Sequence, residues 1–143
     1  MAIFSLARRT TGVTSGTAGH ELRSGANDRV AVLEVGVFLG AATASTYGIG
    51  RPAAIGVTPT SPVTLLPEDP ANGTTAVSQS ALAWATGPTA PTDFFRRIGL
   101  PATVGTGVIW TFPRGLVIAI SSSLVLWNLA TNGVVDVYHV VDE

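Results

Sequence analysis

Cysteine and lysine are both absent from this chain of 143 residues. Without cysteine there is no disulfide framework and no thiolate metal site, and the redox compartment stays open. Without lysine no G-x-x-x-x-G-K-[ST] phosphate loop can form, and all eight basic residues are arginine. Histidine occurs only as His20 and His139. The residue four after His20 is Ser24, so H-E-x-x-H is excluded. Charged residues make up only 12% of the chain, about half the roughly 25% of an average soluble domain. So few ions leave much neutral surface, which points to oligomerisation or docking on a large assembly. The net charge of −1 carries no electrostatic footprint for nucleic acid, which is not expected as a partner.

Long apolar runs are missing as well. Val30 to Gly50 contains Glu34 and many small residues, and Gly107 to Leu129 is broken by Pro113-Arg114 and three serines. Neither is the stretch of about 20 apolar residues that a membrane helix needs, so no membrane partner is expected. Met1 to Ala7 is apolar, but Arg8-Arg9 follow it, the reverse of a secretory signal, and no targeting segment is expected.

What is there is β-pattern. Gly107 to Leu129 reads as three strands: Val108 to Phe112, Leu116 to Ile120 and Leu124 to Leu129. Pro113-Arg114-Gly115 and Ser121 to Ser123 are the turns between them. Both faces of this meander are apolar, so a second sheet or a neighbouring subunit should cover it on both sides. Arg29 to Leu39 is a further strand, with Leu33, Val35, Val37 and Leu39 on one face and Val32, Glu34, Gly36 and Phe38 on the other. Val134 to Val141 alternates as Val135, Val137, His139 and Val141 on one side, and Asn132-Gly133 predicts a hairpin back to Leu124 to Leu129.

The remainder is weaker. Ala2 to Thr10 is a first strand or an extended arm, with residues 2–11 as the arm's span; Thr11 to Gly19 is a turn; His20 to Ser24 is a short edge strand; Ala41 to Ile49 is a small-residue strand. Six of nine prolines fall within 59–91, a loop region where central strands are not expected. Pro67 to Ser80 is its least regular part and reads as a projecting loop or an arm to a neighbour. Ala81 to Ala85 is a short strand. No segment has a helical pattern. The whole predicts one domain over residues 1–143: all-β, an antiparallel β-sandwich of jelly-roll type, with a small β-barrel as the alternative.

Chemistry is sparse. Gly48-Ile49-Gly50 is followed by Pro52 where a dinucleotide-binding helix would begin. His139 alternates with valines and reads as a core or interface residue rather than a ligand. Ser121, His139 and Asp136 make a triad only on paper, since Asp136 and His139 fall on opposite faces of their strand. Glu68-Asp69 is a lone acidic pair in a loop, without calcium-loop spacing. No catalytic, cofactor or metal residue is assigned, and no enzyme activity is expected. Phe94-Phe95-Arg96-Arg97 is the one place where aromatics meet paired arginines, suited to a subunit contact. Exposed Trp84, Trp110 or Tyr47 would suit sugar stacking.

Several segments together resemble small virion proteins of tailed bacteriophages. They are Ile3 to Arg9, Arg29 to Val37, the Gly50-Arg51-Pro52-Ala53 turn, Trp110 to Val117, and Ser123 to Asn128. The resemblance implies a β-sandwich subunit of the virion, assembled in a bacterial host cytoplasm: a head decoration (cement) or capsid-associated protein. Such a subunit would associate with itself, as a trimer, and with the major capsid protein or another virion protein. A neck, tail or fibre module, or a carbohydrate-binding module, is the alternative. The expected contacts are Phe4, Arg8 and Arg9 in the N-terminal segment, Glu68 and Asp69 in the loop, and Phe94, Phe95, Arg96 and Arg97.

Overall fold

Short runs of Val, Ile, Leu and Thr, separated by Gly, Pro and Ser, give strands throughout this computed structural model, with no helix among the described residues. The structure describes residues 2–12 and 14–143. Met1 and Val13, which belong to the predicted apolar start and the predicted 11–19 turn, lie outside them. Among the described residues no helix is long and apolar enough to cross a membrane.

The strands are β1 (Ile3–Arg9), β2 (Ala18–Arg23), β3 (Val30–Leu39), β4 (Ser45–Gly50), β5 (Val57–Pro59), β6 (Val63–Thr64), β7 (Leu66–Pro67), β8 (Gln79–Ala81), β9 (Trp84–Thr86), β10 (Arg96–Leu100), β11 (Gly107–Ile118), β12 (Ser123–Asn128) and β13 (Val135–Asp142). One sheet runs β11-β3-β13-β1-β7, a second β10-β4-β12-β2-β8-β6, and β5 pairs with β9 in a separate ribbon. All pairings are antiparallel. Set aside the short strands of residues 51–95 and the orders become β11-β3-β13-β1 and β10-β4-β12-β2, which is jelly-roll connectivity.

The two sheets face each other across a core of buried side chains that includes Phe4, Val35, Val37, Leu39, Tyr47, Ile49, Leu124, Leu126, Val137 and Val141. Strand β13 alternates buried and half-buried residues as its sequence predicts. Strand β12 is buried on both faces. Leu124 and Leu126 point into the core, while Val125 and Trp127 form a second cluster with Trp84, Phe94 and Leu129. The chain's own insertion thus supplies the outer cover that the apolar faces of β12 demand.

Several expectations fail for topological reasons. The 107–129 stretch is not a meander: β11 and β12 lie in different sheets. The Pro113-Arg114-Gly115 turn is a bulge inside one long strand, where Phe112 to Gly115 stand opposite Leu33 alone. The predicted β12–β13 hairpin is also absent, because those strands likewise belong to opposite sheets. The same irregularity at Leu33 shifts the alternation of β3, so that Val32 is buried along with Val35 and Val37 rather than on the opposite face. Residues 2–11 are not an arm. Strand β1 is hydrogen-bonded between β13 and β7. Strand β2 is not an edge either; it lies between β12 and β8.

The prolines do behave as ladder chemistry requires. Pro67 lies in β7 at a sheet edge and Pro59 in the outlying ribbon. The 51–95 insertion leaves the β4 end of the sandwich and extends both sheets along the β1/β2 side. It returns through the β5–β9 ribbon over the outer face of the six-stranded sheet. The opposite side, edged by β10 and β11, stays open.

Candidate functional site

The open β10/β11 side gathers arginine and phenylalanine. Strand β10 pairs with β4 from Arg96 opposite Ile49, which brings the Arg51 turn beside Phe95. The Arg51 guanidinium sits 4.9 Å from the Phe95 ring centre, and its Nη2 donates to the Val117 carbonyl at 2.8 Å, tying the two sheets together at this edge. Arg96 lies over Phe112 at 5.4 Å, again across the sheets, and Arg97 over Phe94 at 5.7 Å. Each contact places a cation on the electron-rich face of a ring. The β11 bulge carries Arg114 to the same place. Arg96, Phe112, Pro113, Arg114 and Leu116 are among the residues that line a groove of about 360 Å3.

These four arginines are exposed. Among the described residues the ion pairs are Arg9–Asp136 and Arg23–Glu21, so none of the four has a carboxylate within salt-bridge reach. Sequence reasoning singled out Phe94 to Arg97 but did not join Arg51, Phe112 and Arg114 to them. The signal was faint: both arginines sit in Pro-flanked segments that read as ordinary turns.

The other expected contacts divide. Phe4 is fully buried in the core, so its side chain cannot reach a neighbour; this corrects the expectation. Arg8 is half-buried and its Nη1 donates to the Ser80 carbonyl at 3.0 Å, joining β1 to β8 across the sheets. Arg9 makes a two-pronged pair with Asp136 at 2.7 Å, which raises the arginine and lowers the aspartate from their ordinary pKa ranges, chiefly through the hydrogen bonds. Glu68 and Asp69 are exposed in the loop after β7, on the opposite side of the molecule from β10 and β11.

Two buried polar clusters were not foreseen. Glu21 is fully buried on β2. Its carboxylate accepts from Trp84 Nε1 (2.6 Å), Ser123 Oγ (2.7 Å), the Gly56 amide (3.1 Å) and Arg23 Nη1 (3.3 Å). Arg23 Nη1 also donates to the Gly56 carbonyl at 2.7 Å. The cluster fastens the β5–β9 ribbon to the six-stranded sheet. His20 and His139 stack between the sheets with ring centres 4.5 Å apart, and His20 Nε2 lies 2.7 Å from Ser80 Oγ. Burial drives both imidazoles down: His139 to about 3, and His20 well below its ordinary value with help from His139 and Arg8.

Among the described residues no three His, Asp or Glu side chains converge to hold a metal ion. The aromatic residues considered for sugar stacking are not free platforms. Trp110 and Tyr47 are buried, and the half-buried Trp84 spends its indole N–H on Glu21.

Comparison with protein-family models, curated proteins and solved structures gives no match.

Proposed function

We propose that this chain is a structural protein of a bacteriophage particle, not an enzyme: a head decoration protein that associates with itself, as a trimer, and docks on the capsid lattice to stabilise it. The observation that carries the reading is the open β10/β11 edge. It displays arginine-capped phenylalanines without carboxylate partners, beside exposed Ile109 and Val117 on β11. Aromatic and arginine side chains are what the centre of a protein–protein interface is enriched in. The buried Glu21 and histidine groups are bound up in joining layers of the fold, which leaves the surface to act by contact. The jelly roll itself serves capsid, lectin and enzyme proteins alike, so the fold does not choose among them. The segment resemblance to small virion proteins of tailed phages favours the virion reading. Light scattering behind size exclusion gives the solution mass, and sedimentation with phage heads lacking this chain reads docking. Saturable co-sedimentation with heads is the expected result; pelleting only with tails, or with neither fraction, overturns the decoration assignment.

A further inference from the structure

Nine acidic residues are available to meet the unpaired arginines. Most are committed inside the chain. Glu21 is buried in its cluster, Glu34 accepts from the Tyr138 hydroxyl, Asp136 holds Arg9, and Glu143 accepts from the amides of Val77 and Ser78. Asp28 adjoins Arg29, Asp93 stands on the arginine-rich side itself, and Asp142 is a single, half-buried residue at the end of β13. Among the described residues, that leaves one doubled, exposed acidic locus away from any arginine: Glu68-Asp69.

Its position is informative. Strand β7, which leads into Glu68, and strand β11, which carries Phe112 and Arg114, are the two opposite edges of the same five-stranded sheet. Four strand spacings separate them, roughly 19 Å. The acidic loop also offers apolar surface, with Leu66 61% exposed just before it. It is held in shape: the Glu68 amide donates to the Ile3 carbonyl at 2.9 Å, and Asp69 Oδ1 accepts from the Ala71 amide at 2.9 Å. A pre-shaped loop loses less conformational freedom on docking.

We propose that the β10/β11 groove of one molecule receives the Glu68-Asp69 loop of a second copy, with Arg96 and Arg114 meeting the carboxylates and Leu66 meeting Phe112 and Leu116. The inference rests on the reading of the chain as a self-associating subunit and names the surfaces involved. A twofold interface would set like patch on like patch, arginines against arginines. Opposite charges on opposite edges fit a head-to-tail contact, which closes into a ring when the rotation between copies allows.

Charge reversal tests it. One variant carries Arg96→Glu with Arg114→Glu; a second carries Glu68→Arg with Asp69→Arg. Circular dichroism confirms that each is folded. Each alone should self-associate at least about tenfold more weakly than the unaltered protein, whose own association should weaken on raising salt from about 0.1 M to 1 M. An equimolar mixture of the two variants should associate again as heterodimers and longer alternating species, because a basic patch meets an acidic one wherever unlike copies join, while a closed trimer, which cannot alternate, should not re-form. Unaltered association in both variants would overturn the assignment of these surfaces while leaving the self-associating subunit standing. Two monomeric variants that stay apart when mixed would also overturn it. An unaltered protein that remains monomeric at high concentration would overturn both.

Discussion

Glu21 shows how much one side chain can organise when water is kept from it. Its carboxylate is fully buried and meets donors from three separate parts of the chain as well as from neighbouring Arg23. Removing it leaves the Ser123 hydroxyl, the Trp84 indole N–H and the Gly56 amide without their acceptor. Glu21→Ala should therefore cost roughly 3–5 kcal/mol in urea denaturation, the range for stripping one partner from a buried charged pair. Glu21→Gln keeps the shape and one carbonyl acceptor and should cost less, about 1–2 kcal/mol. Gly56→Ala attacks the same cluster from outside. A Cβ there overlaps the Trp84 ring and lies 2.9 Å from Glu21 Oε2, so the ribbon must lift; about 3 kcal/mol of destabilisation, with a change in Trp84 fluorescence, is expected. None of this was legible in the sequence. Glu21 stands in an unremarkable His-Glu-Leu run, and its partners other than Arg23 are 35 to 102 residues away. Only tertiary structure assembles such a cluster.

At the scale of elements, the sequence spoke clearly where one face alone decided burial, and poorly where pairing partners did. The alternation of β13 came through intact because Val135, Val137, His139 and Val141 all face the core. The two-sided apolarity of β12 correctly demanded two covers, though not that the 51–95 insertion supplies the outer one. Turn residues misled. Pro113-Arg114-Gly115 has turn chemistry, yet a bulge uses the same chemistry: Gly115 takes φ +70°, and Pro113 sits where no ladder bond is required of it. The bulge also blunts a long, partly apolar edge strand against pairing with other chains. Gly115→Val should lower stability by roughly 1–3 kcal/mol, from the positive φ and from a Cβ 3.0 Å from that of Ala31, as read in denaturant midpoints. The candidate surface was half legible for the same reason. Phe94 to Arg97 are contiguous and stood out, while Phe112 and Arg114 arrive from β11 and Arg51 from the turn after β4.

For the molecule as a whole, the stacked histidines set a limit in acid. Both imidazoles bind protons less readily in the folded state than the ordinary value near 6.5, because burial removes their solvation. The unfolded chain therefore takes up more protons once pH falls below about 6.5, and stability drops from there downward. The contribution of His139 keeps falling until about pH 3, and each histidine can contribute up to roughly 1.4 kcal/mol per pH unit within its window. Denaturation midpoints should be flat from pH 8 to 7 and decline between pH 6.5 and 5, above the range of ordinary carboxylates. A His20→Gln, His139→Gln double variant should lose that decline. An unchanged slope in the double variant would assign the acid sensitivity to other groups.

Strand β13 occupies the middle of its sheet, between β3 and β1, although it is made after both. On a ribosome, β1 and β3 would wait as separate half-sheets, with Phe4, Val35 and Val37 facing solvent, until residues 135–142 emerge to bridge them. The decisive pairings span most of the chain, as β1 with β13 does, so loop closure comes before any reward and folding should be slow for a chain of this size. A released chain ending at Asn132 should be aggregation-prone, and one extended through Asp142 should become protease-resistant. Synthesis of this protein is thus close to all-or-nothing in time as well as in structure.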